Sequence, residues 1–475
     1  MQKILESSVV YRALAALFGK IGKQWRESRA IAAFLTEGKG ESISEASVFT
    51  RGWGWLHRLL CLIFAKLRLN ALLRNSILTM PFIWCSLALG LAPILPTMAM
   101  LGATLVCVAS LLLALGCDPG RKLAYSPINK YVLLYALIYI TATFTSITMS
   151  GSLLGGALTT LFTLYAIIVQ NAITTRRQLD ILIYAFVASG AAVSLYGIYQ
   201  YLFGTFVASG WVDSTMFSGI GVRVYSTLGN PNVLSEYLLL VIPFAGACVL
   251  TVKKGIFKLL FAGCLCLMLA AMLLTFARGG WLGLIVAAAV FLVMLDRRFI
   301  IAGIVGLVLL YFILPDVVVA RFMSIGDIGD SSTNFRLFIW LGTIAMLRDY
   351  WFTGIGPGTE AFNRVYPLYR YNAVYAPHSH NLFLQITCDT GIIGLIAFLA
   401  ILFAYFKNLS IAVSKESPQG DKSSKILQIA SISSVLGFLV QSFTDHSFYN
   451  YRVTLVFWAV LGVGTLAARR SRLPR

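Results

Sequence analysis

From Ser76 almost to the C-terminus the chain returns repeatedly to windows of about 20 mainly apolar residues, the length that crosses a hydrocarbon core about 30 Å thick. A chain patterned in this way has too little polar surface to fold around a soluble core, and the solvent it is built for is lipid. With 58% hydrophobic and 12% charged residues in 475, and a mean hydropathy of +0.81, little length remains for a soluble domain. The windows place spans near 77–95, 97–117, 128–148, 152–173, 179–203, 231–251, 256–276, 281–295, 299–315, 381–406, 426–444 and 451–468. The expected fold class is an all-α integral membrane protein of about twelve transmembrane helices with one large extracytoplasmic loop. It divides into a basic interfacial extension over 1–75, helices one to nine over 76–315, the loop over 316–380, and the last three helices with a basic tail over 381–475.

The net charge of +19 does not form one patch, which argues against nucleic acid as a partner. The basic residues lie in short loops beside the spans. With an even number of crossings, Arg121 and Lys122, Arg176 and Arg177, Lys253 and Lys254, Arg297 and Arg298, the 407–425 stretch and the Arg469–Arg472 tail all fall on the N-terminal side. By the positive-inside rule that side is cytoplasmic, with both termini on it. Residues 1–75 carry twelve Lys or Arg against five Glu, with Trp53, Trp55, Leu56, Leu59, Leu60, Ile63 and Phe64 at near-helical spacing. This is the pattern of a segment lying on membrane lipids rather than crossing them. The eight cysteines fall in apolar stretches or on the cytoplasmic side and read as small hydrophobes.

The outer face is unusual because its basic residues, Arg223, Arg278, Arg321, Arg336, Arg348, Arg364, Arg370 and Arg452, include no lysine. Either this is chance, or the face recognises phosphate, which guanidinium grips bidentately. Arg278 lies in Phe276-Ala277-Arg278-Gly279-Gly280-Trp281, a break so short that the charge sits at the membrane surface and needs a partner. The glycines suit a tight turn close to a ligand, and Trp281 suits the interface. Arg223 shortly precedes Gly229-Asn230-Pro231-Asn232, a turn-then-helix signal. Glu236, one turn into that span, is expected to pair with an arginine.

The 316–380 segment is too long for an ordinary connection. Its residues 334–348 read as a helix, and Gly354-Ile355-Gly356-Pro357-Gly358 as a turn-rich segment. It ends in Pro377-His378-Ser379-His380-Asn381, two of only four histidines at the mouth of the membrane. Imidazole there could serve as general base for an acceptor hydroxyl, as a hydrogen-bonding element, or as a metal ligand with Asp445 and His446. Gln385 and Asp389 lie one turn apart on a similar face of the next span, and Gly391 and Gly394 suggest close helix packing.

In order and spacing, Gly229-Asn230-Pro231-Asn232, Ala277-Arg278-Gly279-Gly280-Trp281, the Gly354–Gly358 stretch, and His380-Asn381-Leu382-Phe383-Leu384-Gln385 leading to Gly391-Ile392-Ile393-Gly394-Leu395 resemble the O-antigen ligase and polymerase family. The likeness covers roughly residues 76–470; the basic extension over 1–75 departs from it. The resemblance implies a membrane-embedded glycosyltransferase of the bacterial cytoplasmic membrane that needs no metal or other cofactor. It would move a glycan from an undecaprenyl-pyrophosphate carrier to an acceptor hydroxyl or amine. By the same likeness, Arg278 and Arg223 would hold the donor pyrophosphate and His380 would stand near the acceptor. Arg336, His378, Asn381, Asn230, Asn232 and Trp281 are the expected substrate-binding residues around them. The competing expectation is a transporter of a small anion such as bicarbonate, which would place its ligands and broken helices near mid-membrane.

Overall fold

The structure is a computed structural model that describes residues 48–73, 75–121, 123–124, 126–204, 222–326, 331–415 and 421–470. Among them the regular structure is helical throughout. The helices are α1 (Val48–Lys66), α2 (Leu69–Leu73), α3 (Pro81–Leu91), α4 (Thr97–Cys117), α5 (Asn129–Phe144), α6 (Met149–Ala172), α7 (Arg176–Phe203), α8 (Pro231–Thr251), α9 (Gly255–Leu274), α10 (Arg278–Leu295), α11 (Phe299–Ile313), α12 (Asp316–Met323), α13 (Ser331–Tyr350), α14 (Thr359–Val365), α15 (Leu382–Lys415), α16 (Lys422–Ser442) and α17 (Tyr451–Ala467).

Every one of the expected spans coincides with a helix, and eight of these helices are long and apolar enough to cross a membrane: α4, α6, α7, α8, α9, α10, α15 and α16. The other four, α3, α5, α11 and α17, run to 11, 16, 15 and 17 residues. At 1.5 Å per residue they reach only about 16–26 Å, short of the full hydrocarbon thickness. The most enclosed helices are α8, α16 and α17, while α9 and α10 leave most of their surface outward. Apolar side chains facing outward around most of a helix are what lipid contact requires. Of the N-terminal extension, residues 1–47 lie outside the described residues. Its helix α1 packs on α4, where Phe64 presses on Gly116 and His57 Nε2 lies 3.0 Å from the Leu115 carbonyl oxygen.

Two close backbone approaches position the site. At the first, α10 lies against α16 through Gly283 and Gly437, where a Cβ on Gly283 would come within 2.5 Å of the Gly437 carbonyl oxygen. Small residues let membrane helices meet backbone to backbone. Gly279 and Gly280 continue this seating, since a Cβ on Gly279 would strike Thr444, just past α16, and one on Gly280 would strike Ser235 of α8, with Gln441 of α16 close to both. The glycines beside Arg278 therefore lie in the first turn of α10 and seat it on its neighbours, where a tight turn was expected.

At the second, α15 is broken at Gly391, which has φ 69 and ψ −175. The turn after α13 fills the break: Ile392 N donates to Trp351 O at 2.8 Å and Ile355 N to Cys388 O at 2.6 Å. A Cβ on Gly391 would overlap the Phe352 carbonyl. Peptide groups freed inside a membrane must find protein partners, and the Gly354-containing turn supplies them. Gly391 thus opens a helix for a loop, a different role from the helix-on-helix packing its spacing suggests.

Candidate functional site

Three helices start at one end of the bundle, and the candidate residues stand at those starts. Arg278 is the first residue of α10. Arg223 shortly precedes Asn230, whose side chain caps α8 by accepting from Asn232 N at 2.8 Å. His380 precedes Asn381, whose Oδ1 caps α15 by accepting from Phe383 N and Leu384 N at 2.9 and 3.0 Å. Each start carries a non-glycine residue in the left-handed region: Ser226 (φ 52), Phe276 (φ 49) and His380 itself (φ 48). Such backbone costs about 1–3 kcal/mol per residue and persists only where the surroundings over-determine it.

The surroundings of His380 do so. Ser379 N donates to Gln385 Oε1 at 2.8 Å, His380 N to His378 Nδ1 at 3.2 Å, and Trp340 Nε1 to the His380 carbonyl at 3.2 Å. Behind them Gln385 Nε2 donates to Asp389 Oδ1 at 2.9 Å, and Tyr139 OH to Asp389 Oδ2 at 3.2 Å. The shared face of Gln385 and Asp389 is thus observed, and it anchors the histidine turn.

A polar chain joins this turn to the arginines. Arg223, 7% exposed, donates through Nε to Thr275 O at 2.8 Å and through Nη2 to Asn232 Oδ1 at 3.0 Å. Asn232 Nδ2 donates in turn to Asp445 Oδ2 at 2.9 Å. Asp445 Oδ1 then lies 3.4 Å from His380 Nδ1, an ion-pair distance without the alignment of a hydrogen bond. Arg278 Nη1 donates to Ser324 O and Oγ at 2.9 and 3.0 Å, and Arg336 Nη1 to Ser332 Oγ at 2.6 Å.

The electrostatics show how near these groups are. Burial, then the charges of Arg321, Arg336 and Arg278, bring the Arg223 guanidinium down to about 9, with Asp445 opposing them. Burial alone would raise the Asp445 carboxyl, but the facing His380 imidazole and the positive charge of Arg336 hold it well below the usual carboxylate range. Burial and the neighbouring His380 push His378 down to about 3, and burial with His378 lowers His446 as well. Both imidazoles are therefore neutral and weakly basic at neutral pH, which leaves His380 as the base candidate of the cluster.

His378, His380 and Asp445 offer ligand atoms within 4.8 Å of one another, the one group among the described residues that could hold a cation. The positive charge of Arg336 reaches His378 and Asp445, and such a field disfavours a divalent ion there. Three helix N-termini add partial positive charge at the same place. The arrangement suits an anion, whose oxygens helix starts and guanidinium groups both bind.

Arg223, Arg278, Arg336, His378, His380 and Asn232 thus come together. Asn230 and Asn381 are engaged as caps, Asn381 also donating to Phe443 O at 2.9 Å. Trp281 departs from its expected interfacial place: it is 4% exposed, donates to Met272 O at 3.0 Å and packs on Phe276. Glu236 departs too, lying beside Ser447 and Asp445 and pairing with no arginine among the described residues. Sequence reasoning did not single out Arg321, the buried residue of α12, although it stood in the set of outer arginines. It reached Asp445 only as a possible metal ligand.

Residues 263–399 match the family described as O-Antigen ligase, which bears out the resemblance carried by the motifs. The matched stretch contains Arg278, Arg321, Arg336, His378 and His380. A comparison with curated proteins finds no match. The family match and the apolar helices together support glycan transfer in a membrane, and they lend no support to anion transport.

Proposed function

We propose that the chain is a metal-independent, inverting glycosyltransferase that takes a glycan from an undecaprenyl-pyrophosphate carrier in building a surface polysaccharide. The observation that carries this reading is the convergence of Arg223, Arg278, Arg321 and Arg336 with three helix starts around the Asp445–His380 pair. Cleavage of a sugar–pyrophosphate bond sends an electron pair onto the leaving oxygen. Guanidinium groups in a poorly hydrated site stabilise that developing charge without a metal. Asp445 faces His380 Nδ1 and leaves Nε2 for the incoming hydroxyl. As the acceptor oxygen bonds to the anomeric carbon, its proton passes to the imidazole and the pyrophosphate departs from the opposite side, inverting the centre.

By the charge of its loops this end is extracytoplasmic and both termini are cytoplasmic, in the bacterial cytoplasmic membrane. Residues 1–75 act as an interfacial extension, and the 316–380 segment shapes the donor side. Profiling surface glycans in cells lacking the protein, complemented with wild type or Arg278→Ala, tests the reading. The variant should fail to restore what wild type restores. Lost chain extension would identify a polymerase, and accumulated full-length lipid-linked polymer a ligase. Equal glycans in all strains would overturn the assignment.

A further inference from the structure

The turn after α13 belongs, by sequence, to an extracytoplasmic loop, yet it joins the helices deeper than such a loop should reach. Its Trp351 O and Ile355 N bond at the break in α15, and Ile147 N, just past the end of α5, donates to Ile355 O at 3.1 Å. Both helices serve as rulers, with Lys130 and Lys407 as the charges that bound these spans at the other end. The 16 residues of α5, and the part of α15 from Gly391 to Lys407, each measure about 24 Å at 1.5 Å per residue. That is less than the ~30 Å of a hydrocarbon core, and tilt only shortens the height.

Backbone and side chains of the turn behave as lipid demands. Gly354, Ile355, Gly356 and Pro357 are buried, Gly354 N donates to Tyr350 O at 2.9 Å, and the Thr353 hydroxyl donates to Gly354 O at 3.0 Å. Trp351 and Phe352 turn outward instead, 55% and 54% exposed, with ring centroids 5.5 Å apart. Exposed apolar side chains adjoin them in both segments the turn bonds to. Phe144, Ile147 and Met149 surround the residue that meets Ile355, and Ile393, Ile396 and Leu399 follow the one that meets Trp351. Arg348, exposed one turn back along α13, suits the phosphate layer above.

We propose that this turn is a membrane seat, in which Trp351 and Phe352 insert among phospholipid acyl chains just below the headgroups and Arg348 meets lipid phosphate. Tryptophan favours that depth. The seat sets the height of α13, which carries Arg336 and whose Trp340 holds the His380 carbonyl. It does not depend on the reaction assigned to the site.

Tryptophan emission of the purified full-length chain, in liposomes of phosphatidylcholine brominated either near the glycerol or near the chain ends, tests the seat. The share of emission that Trp351→Phe removes should be largely lost in the shallow-bromine lipid, less so in the deep one, and untouched by aqueous iodide. Iodide quenching would place Trp351 in water, and quenching by neither lipid would place it under protein; either result would overturn the seat. If Trp351→Phe does not fold, Phe352→Trp adds a reporter at the same depth, and its added emission decides on the same three readouts.

Discussion

The two ends of the bundle treat charge in opposite ways. At the end where α7 and α16 begin and α17 finishes, Arg470 pairs with Asp180 through both guanidinium nitrogens, at 3.1 Å for Nη2–Oδ2, and reaches Asp421 at 3.7 Å. Arg176 meets the same Asp421 at 3.5 Å. Opposite charges meet directly there, and the network ties helix ends together. At the other end like charges are gathered: burial and then Arg321, Arg336 and Arg278 lower the Arg223 guanidinium, and a residue in the left-handed region stands at each of the three helix starts. Stability alone does not explain crowding of guanidinium groups, whereas binding of a multiply charged anion does.

The contrast can be broken by substitutions at each end. His380→Ala should reduce transfer by about a hundredfold to ten-thousandfold, the range for a positioned base, in a membrane transfer assay. Arg223→Ala and Arg278→Ala should each lose about a hundredfold to a thousandfold, and lysine should restore little because it lacks the planar fork. At the opposite end, Asp180→Ala should leave transfer near wild type and lower thermal stability by ~1 kcal/mol, as expected for a partly exposed ion pair. If Asp180→Ala abolished transfer while Arg223→Ala only softened the fold, the roles assigned to the two ends would be reversed.

A smaller effect follows acidification. The His378 imidazole is held at about 3 in the fold, below its ordinary 6.5, so between these values the unfolded chain takes up a proton that the folded one refuses. Stability should fall as pH drops below about 6.5, and His446, also lowered, adds to the trend. In detergent, melting of His378→Gln should depend less on pH over this window than melting of wild type. An unchanged slope would mean that His378 is not buried as described.

The helical frame was legible because lipid imposes a length on every span, and apolar windows of that length stand out in residues 76–470. Arg223, Arg278 and His380 were legible because a basic or titratable side chain beside a span needs a reason to be there. What escaped was work done by the backbone. The break at Gly391 is filled by peptide groups of the Trp351–Ile355 turn, and peptide groups leave no periodic trace in a sequence. The glycines after Arg278 make room for Ser235, Gln441 and Thr444, distant in the chain, so their role could not be read locally. Asn232 looked like part of a turn signal, and only the fold shows it bridging Arg223 and Asp445.

The most direct test of the central claim is calorimetric titration of the purified protein with farnesyl pyrophosphate, a short prenyl diphosphate, alongside farnesol. Wild type should bind the diphosphate and not the alcohol, and Arg223→Ala and Arg278→Ala should each weaken binding by about tenfold or more, as loss of a charged hydrogen bond of ~1.5–3 kcal/mol implies. Equal affinity for diphosphate and alcohol, or affinity untouched by both substitutions, would contradict the claim that the arginine-bearing helix starts form a pyrophosphate site.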